Sequence, residues 1–79
     1  MQDLASEFGI KLRETRELRG ISQDDLALQS GIDRSYVGRI ERGEVNISLE
    51  KVYMLSSALR CSPCKLLPHV MDINALGAR

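Results

Sequence analysis

Between positions 34 and 42 the chain reads Arg-Ser-Tyr-Val-Gly-Arg-Ile-Glu-Arg, and its polar members carry chemistry suited to a nucleic-acid duplex. On a helix turning about 100° per residue, with Val37 and Ile40 inward, Ser35, Gly38, Arg39 and Arg42 fall on the opposite face. Arg34 and Tyr36 flank them. A guanidinium is a rigid fork of donors that matches the two acceptors on the guanine edge. A serine hydroxyl adds a small donor and acceptor, and a glycine lets a backbone come close. Three arginines on a surface helix are more often a solvated face than a recognition site, so the setting has to decide.

The same wheel places Glu41 near the inward side, where a lone carboxylate is costly to bury. It needs a cation. Arg16, one helical turn beyond Leu12 on the inward face of the first helix, is the obvious partner. Arg16 and Glu41 are therefore expected as a structural ion pair tying the first helix to the third.

These residues require a scaffold of helices, and the start and stop signals supply one. No proline occurs before position 63. A first helix is expected from about Gln2 to Arg19, with Phe8, Leu12 and Thr15 at i, i+4 and i+7, closed by Gly20. Ser22 to Asp25 has the form of a capping box and opens a short second helix that carries Leu26 and Ala27 and ends near Gln29. Gly31 supplies the turn, Asp33 caps a third helix from Arg34 to Arg42, and Gly43 stops it. Residues 44–47 read as a loop. Ser48 then caps a fourth helix to about Leu59, with Val52, Leu55 and Leu59 on its buried face. Ser62 followed by Pro63 starts a short fifth helix that Pro68 ends. Val70, Ile73 and Leu76 give the tail from His69 to Arg79 some apolar character, suited to a further turn, a dimer contact or a frayed end.

The expectation is one all-α domain over residues 1–79, a compact five-helix fold. Its core is Phe8, Leu12, Leu26, Ala27, Val37, Ile40, Val52, Leu55 and Leu59. Two short helices joined by a glycine-bearing turn, over about residues 22–42, make a helix-turn-helix. Residues of about 48–79 are left for packing and dimerisation, with Leu49, Tyr53, Leu67 and Val70 apolar beyond what the core needs.

Composition bounds the partners. The 79 residues are 43% apolar, enough for one globular domain, and carry no net charge at pH 7. A neutral sum counts against nucleic acid, because phosphate neutralisation supplies most non-specific affinity. Placement answers the objection: Lys11, Arg13, Arg16 and Arg19 crowd one segment and Arg34, Arg39 and Arg42 another. A neutral chain can thus hold a basic face, and a dimer holds two. No apolar run is long enough to span a bilayer, and the acidic start MQDLASEF lacks the basic region of a signal peptide. A cytoplasmic location, in a bacterium or borne by a phage or plasmid, is expected, and no membrane partner.

At these residues the chain resembles the lambda-repressor/Cro-like helix-turn-helix family, also called the XRE family, over roughly residues 8 to 67. The matching stretches are Gly9 with Leu12-Arg13 and Arg16, then Gly20-Ile21-Ser22-Gln23 with Leu26-Ala27, then Gly31-Ile32, then Ile40-Glu41-Arg42-Gly43. Within the family, Ile32 to Val37 is most similar to the recognition helix of restriction–modification controller proteins, small dimeric regulators that time endonuclease expression against the methyltransferase. The resemblance implies a sequence-specific transcriptional regulator that binds pseudo-palindromic double-stranded DNA as a homodimer, and that meets RNA polymerase if it activates. It implies base contacts from Arg34, Ser35 and Arg39. Backbone or groove contacts would come from Gln23, Tyr36, Arg42 and Asn46, and from the chain at Gly38. Gly38 leaves a gap where many relatives present a side chain, and Val45 stands where some controllers carry arginine.

Other readings are weaker. An antitoxin of a toxin–antitoxin pair usually carries a toxin-wrapping extension, and the eleven residues after Pro68 are short for one. A phage or plasmid repressor would share the same helices. Cys61-Ser62-Pro63-Cys64 matches a C-x-x-C redox motif, but that motif belongs in a strand–helix setting which this chain lacks. Zinc needs four ligands, and only His69 stands near as a third. Asp24 and Asp25 have a sufficient explanation at a helix N-terminus. No nucleophile–base–acid set and no glycine-rich phosphate loop occur. No enzyme activity, metal or cofactor is expected.

Overall fold

The structure, a computed structural model, describes residues 3–69. Among them the chain forms α1 (Leu4–Leu18), α2 (Gln23–Ser30), α3 (Arg34–Glu41) and α4 (Leu49–Leu59), followed by a 3-10 turn at Pro63–Lys65, with no strand. Each α-helix opens on a side chain that accepts one of its unpaired first-turn N–H groups. Asp3 accepts from Ser6 N at 2.8 Å, Ser22 from Asp25 N at 3.0 Å, Asp33 from Ser35 N at 3.0 Å, and Ser48 from Lys51 N at 3.2 Å. At α2 the box is reciprocal, the Asp25 carboxylate accepting from Ser22 N. α1 starts at Leu4, two residues later than expected, because Asp3 serves as its cap. α2 runs one residue further, to Ser30.

α1 and α3 end alike. Gly20 (φ 71°) and Gly43 (φ 74°) take the left-handed conformation, and their N–H groups reach the carbonyls of Glu17 and Ile40. The next residues, Ile21 and Glu44, reach back to Arg16 and Arg39. This arrangement satisfies carbonyls that the helix leaves open, and it suits glycine because no Cβ is strained.

The nine expected core residues are all buried, joined by Ile32 and Leu66. Burying a leucine or isoleucine side chain contributes roughly 1.5–3 kcal/mol, so this aliphatic cluster is the main source of stability. α2 lies against both α3 and α4, and α1 lies across α3. That crossing depends on Gly9. A Cβ there would stand 2.5 Å from the Ile40 carbonyl oxygen and 2.6 Å from that of Glu41, so the two backbones are in contact.

The expected fifth helix is only the 3-10 turn. Pro63 sets its start, with the Ser62 hydroxyl accepting from Cys64 N. Pro68 then has no N–H to give, so beyond Leu67 the ladder cannot continue. The turn still matters for the core, since it delivers the fully buried Leu66 against α4. Among the described residues no helix is long and apolar enough to cross a membrane.

Candidate nucleic-acid interface

α2 and α3 are joined by Gly31, Ile32 and Asp33. Gly31, at φ 78°, ends α2 by donating to the Ala27 carbonyl, and Ile32 drops into the core. Leu26 and Ala27 of α2 and Val37 and Ile40 of α3 form the buried seam. The Asp33 cap fixes where α3 begins, and with it the direction of every side chain on its outer face.

Behind α3 the structure brings Arg16 and Glu41 together. The guanidinium grips the carboxylate at two points, Nε to Oε2 at 2.7 Å and Nη2 to Oε1 at 3.1 Å. Glu41 receives a third hydrogen bond, from Gln23 Nε2 at 2.7 Å, while Arg16 Nη1 donates to the Ile21 carbonyl at 2.9 Å. The two side chains are only 11% and 3% exposed. A buried ion pair holds only when such extra hydrogen bonds complete it. The hydrogen bonds that Arg16 donates to Glu41 raise the Arg16 pKa above its ordinary value, against the opposing effect of burial. Gln23, expected at a phosphate, thus commits its amide donor to tying α2 to α3.

On the outer face every arginine has a carboxylate beside it. Arg34 Nε donates to Asp24 at 2.6 Å, and Arg42 grips Glu44 through Nε at 2.7 Å and Nη2 at 3.3 Å. Arg39 Nε lies 3.8 Å from Glu44. The hydrogen bond from Arg42 lowers the Glu44 pKa, and the same bond raises that of Arg42. The Ser35 hydroxyl donates to the Asp33 cap, and its hydrogen bonds with Ser35 lower the Asp33 pKa. Tyr36 is half-buried against the core, with Lys51 Nζ 5.5 Å from its ring centre. That is within reach of a cation–π contact.

Gly38 is not on the open face. It is buried, and a Cβ there would meet Arg42 Nη1 at 3.1 Å, Arg34 Nη1 at 3.3 Å and Gln23 Oε1 at 3.7 Å. The wheel placed it outward because it treated the face as bare cylinder. Three long polar side chains fold over the glycine and roof it.

The other expected residues lie apart. Asn46 is exposed in the loop between α3 and α4. Leu49, Tyr53 and Leu67 are exposed (70%, 57% and 42%), and Leu49 and Tyr53 border a shallow groove with Gln29, Met54 and Ser57. Leu67 faces a second hollow with Leu4, Phe8 and Leu49. Val70 lies outside the described residues, as do Ile73 and Leu76. Cys61 rests half-buried on the core and Cys64 is exposed, both as free thiols.

Sequence reasoning missed Asp24, Glu44 and Lys51. The pairing of Glu44 was within reach, since Arg42-Gly43-Glu44 folds back through the glycine. Asp24 has a sufficient explanation at its helix terminus, which hides its pairing with Arg34, and Lys51 of α4 meets Tyr36 only through the tertiary fold.

Comparison with known proteins adds to this geometry. A helix-turn-helix family model matches residues 12–66. The chain is 38% identical over 66 residues to a hypothetical transcription factor of Neisseria meningitidis, covering 84% of this chain and 62% of that protein's length. The crystal structure of the restriction–modification controller protein C.AhdI from Aeromonas hydrophila superposes with a TM-score of 0.78 at 48% identity, covering 80% of this chain and 96% of that one. The controller C.Esp1396I, crystallised as a tetramer with its natural 35-base-pair operator, gives a TM-score of 0.74 at 29% identity, with 78% and 82% covered.

Proposed function

The chain belongs to the helix-turn-helix family, and on that premise we propose that it is a sequence-specific DNA-binding regulator of transcription, of the restriction–modification controller kind. The observation that carries this reading is the outer face of α3. Arg34, Arg39 and Arg42 stand there on a helix whose start, direction and backing are fixed by the Asp33 cap and the Arg16–Glu41–Gln23 lock. An α-helix fits the major groove, where base pairs present distinct patterns of donors and acceptors.

In this reading Arg34, Ser35 and Arg39 read base edges. Tyr36, Arg42 and Asn46 meet the backbone or groove wall, with Gln23 beside them, and Gly38 lies beneath the arginines as their floor. Each outer arginine already has a carboxylate partner: on DNA Arg39 and Arg42 exchange Glu44 for a guanine edge or a phosphate, whereas Arg34, bonded to Asp24 through Nε alone, has its terminal donors free. The exposed pairs make this exchange inexpensive, since surface ion pairs contribute only about 0–1 kcal/mol. One such helix reads too few base pairs for a genome, so the protein acts as a homodimer on a pseudo-palindrome. Leu49, Tyr53 and Leu67 offer the apolar surface for that pairing.

Enrichment from a pool of random-sequence duplexes tests the reading. The expected outcome is an inverted repeat with half-site centres about 10 base pairs, or one helical turn, apart. Failure to enrich any sequence, with equal binding to all duplexes, would overturn it.

A further inference from the structure

Arg34 and Arg42 are both paired with carboxylates, but not in the same way. Glu44 takes Nε and Nη2 of Arg42, the side-on fork with which a guanidinium grips a two-oxygen partner. Asp24 takes only Nε of Arg34, at 2.6 Å. The hold is from the stem, and it leaves the terminal Nη1–Nη2 pair to be aimed at something else. The direction is defined by Gly38, where Arg34 Nη1 lies 3.3 Å from the position of an absent Cβ. Arg42 Nη1 approaches the same point to 3.1 Å. Two like charges converge over one glycine because each has its own carboxylate outside.

Asp24 is an odd residue to find at a DNA-facing edge. It is 80% exposed, and its charge repels phosphate and weakens binding to every duplex. Capping does not require it, because Ser22 and Asp25 complete the box at α2 by themselves. What it does alone is hold Arg34 by the stem.

We propose that Asp24 is a specificity-determining positioning residue, which holds Nε of Arg34 over the Gly38 floor so that the terminal pair meets the O6 and N7 acceptors of a guanine. A long side chain with four rotatable bonds is otherwise free to slide to the nearest phosphate, where it contributes affinity without discrimination. Asp24 contributes selectivity at some expense of affinity. This rests on the reading that α3 enters a DNA groove.

The test uses the full chain and two substitutions. Asp24→Ala removes both the charge and the acceptor; Asp24→Asn removes the charge but keeps an amide oxygen that can accept from Nε. Wild type and both variants are each used to enrich duplexes from a random pool, and their affinities for an unselected duplex are measured across salt concentration. Wild type and Asp24→Asn are expected to select guanine at one position of each half-site. With Asp24→Ala that preference falls roughly tenfold. On the unselected duplex both variants bind more tightly than wild type, by a similar factor and with a steeper salt dependence, since both lost one negative charge. A guanine preference that survives in Asp24→Ala overturns the proposal, leaving Asp24 a screening charge. Loss of the preference in both variants overturns the assignment to the hydrogen bond. Wild-type protein that enriches no sequence overturns the DNA reading, and this proposal with it.

Discussion

Two arginine–carboxylate pairs of nearly equal length sit on opposite sides of α3. Behind the helix, Arg16 Nε meets Glu41 at 2.7 Å with the side chains 11% and 3% exposed; in front, Arg34 Nε meets Asp24 at 2.6 Å with 52% and 80% exposed. The distances do not distinguish them, but the surroundings do. Behind, the carboxylate has three donors and no water to fall back on, so losing any one leaves buried charge unmatched. In front, water and salt can replace either partner at little cost. The same chemistry is a lock where it is buried and an exchangeable hold where it is exposed, and α3 uses both, one to fix the helix and the other to leave its donors available.

The sharpest way to break this contrast is Arg16→Ala. Glu41 would keep only Gln23, and the loss is expected at about 3–5 kcal/mol, the range for removing one partner of a buried pair. Urea unfolding followed by circular dichroism measures it. A loss below about 1 kcal/mol would put the inner pair in the same class as the outer ones.

Next in size is Gly9→Ala. The added methyl meets backbone, the carbonyl oxygens of Ile40 and Glu41, which cannot swing aside as a side-chain end can. α1 must lift from α3, at a cost of about 1–3 kcal/mol, and the Arg16–Glu41 grip stretches with it. Combined with Arg16→Ala, the losses should be less than additive, because both act on the one α1–α3 contact. Full additivity would show that the close approach and the ion pair are independent.

Much of this was legible in the sequence, and the failures have a common cause. The helix starts follow from Asp33, Ser22 and Ser48, whose effects are local, and the core follows from aliphatic spacing. The pairing of Arg16 with Glu41 could be inferred because a carboxylate at an inward position has few ways of being satisfied. Gly38 could not be placed, since it sits at the edge of the buried arc and is covered by residues four positions away on α3 and by Gln23 of α2. Asp24 and Lys51 escaped for the same reason: exposed polar side chains find partners through tertiary geometry, which periodicity does not encode. The fifth helix failed on arithmetic, as two prolines five residues apart leave room for a single turn.

Gly38→Ala sharpens the contrast with a smaller effect of the opposite sign. Gly38 has helical φ, and alanine there gains about 0.5–1 kcal/mol in helix propensity. Its methyl meets side-chain ends, those of Arg34, Arg42 and Gln23 at 3.3, 3.1 and 3.7 Å, and the two tight ones can move a few tenths of an ångström. Thermal unfolding should therefore show an unchanged or raised Tm, while preference for the enriched duplex over a scrambled one declines. A lowered Tm would mean that the outer guanidiniums are held as firmly as the inner one.

The smallest effect on stability belongs to Arg34→Ala, and it is the most informative. Its partner Asp24 is exposed and returns to water, so unfolding free energy should change by no more than about 0.5 kcal/mol. Binding should change more, by roughly 1–3 kcal/mol on the enriched duplex and much less on a scrambled one, because a lost base contact is felt only where the right base is present. Removing the arginine also leaves Asp24 facing the phosphates unpaired, which weakens both duplexes by a further, equal amount that salt screens. Isotherms at two salt concentrations separate the two contributions: the equal part shrinks as salt rises, and the difference between duplexes persists. If the difference vanishes at high salt, Arg34 is a phosphate contact, and the front of α3 differs from its back in exposure alone.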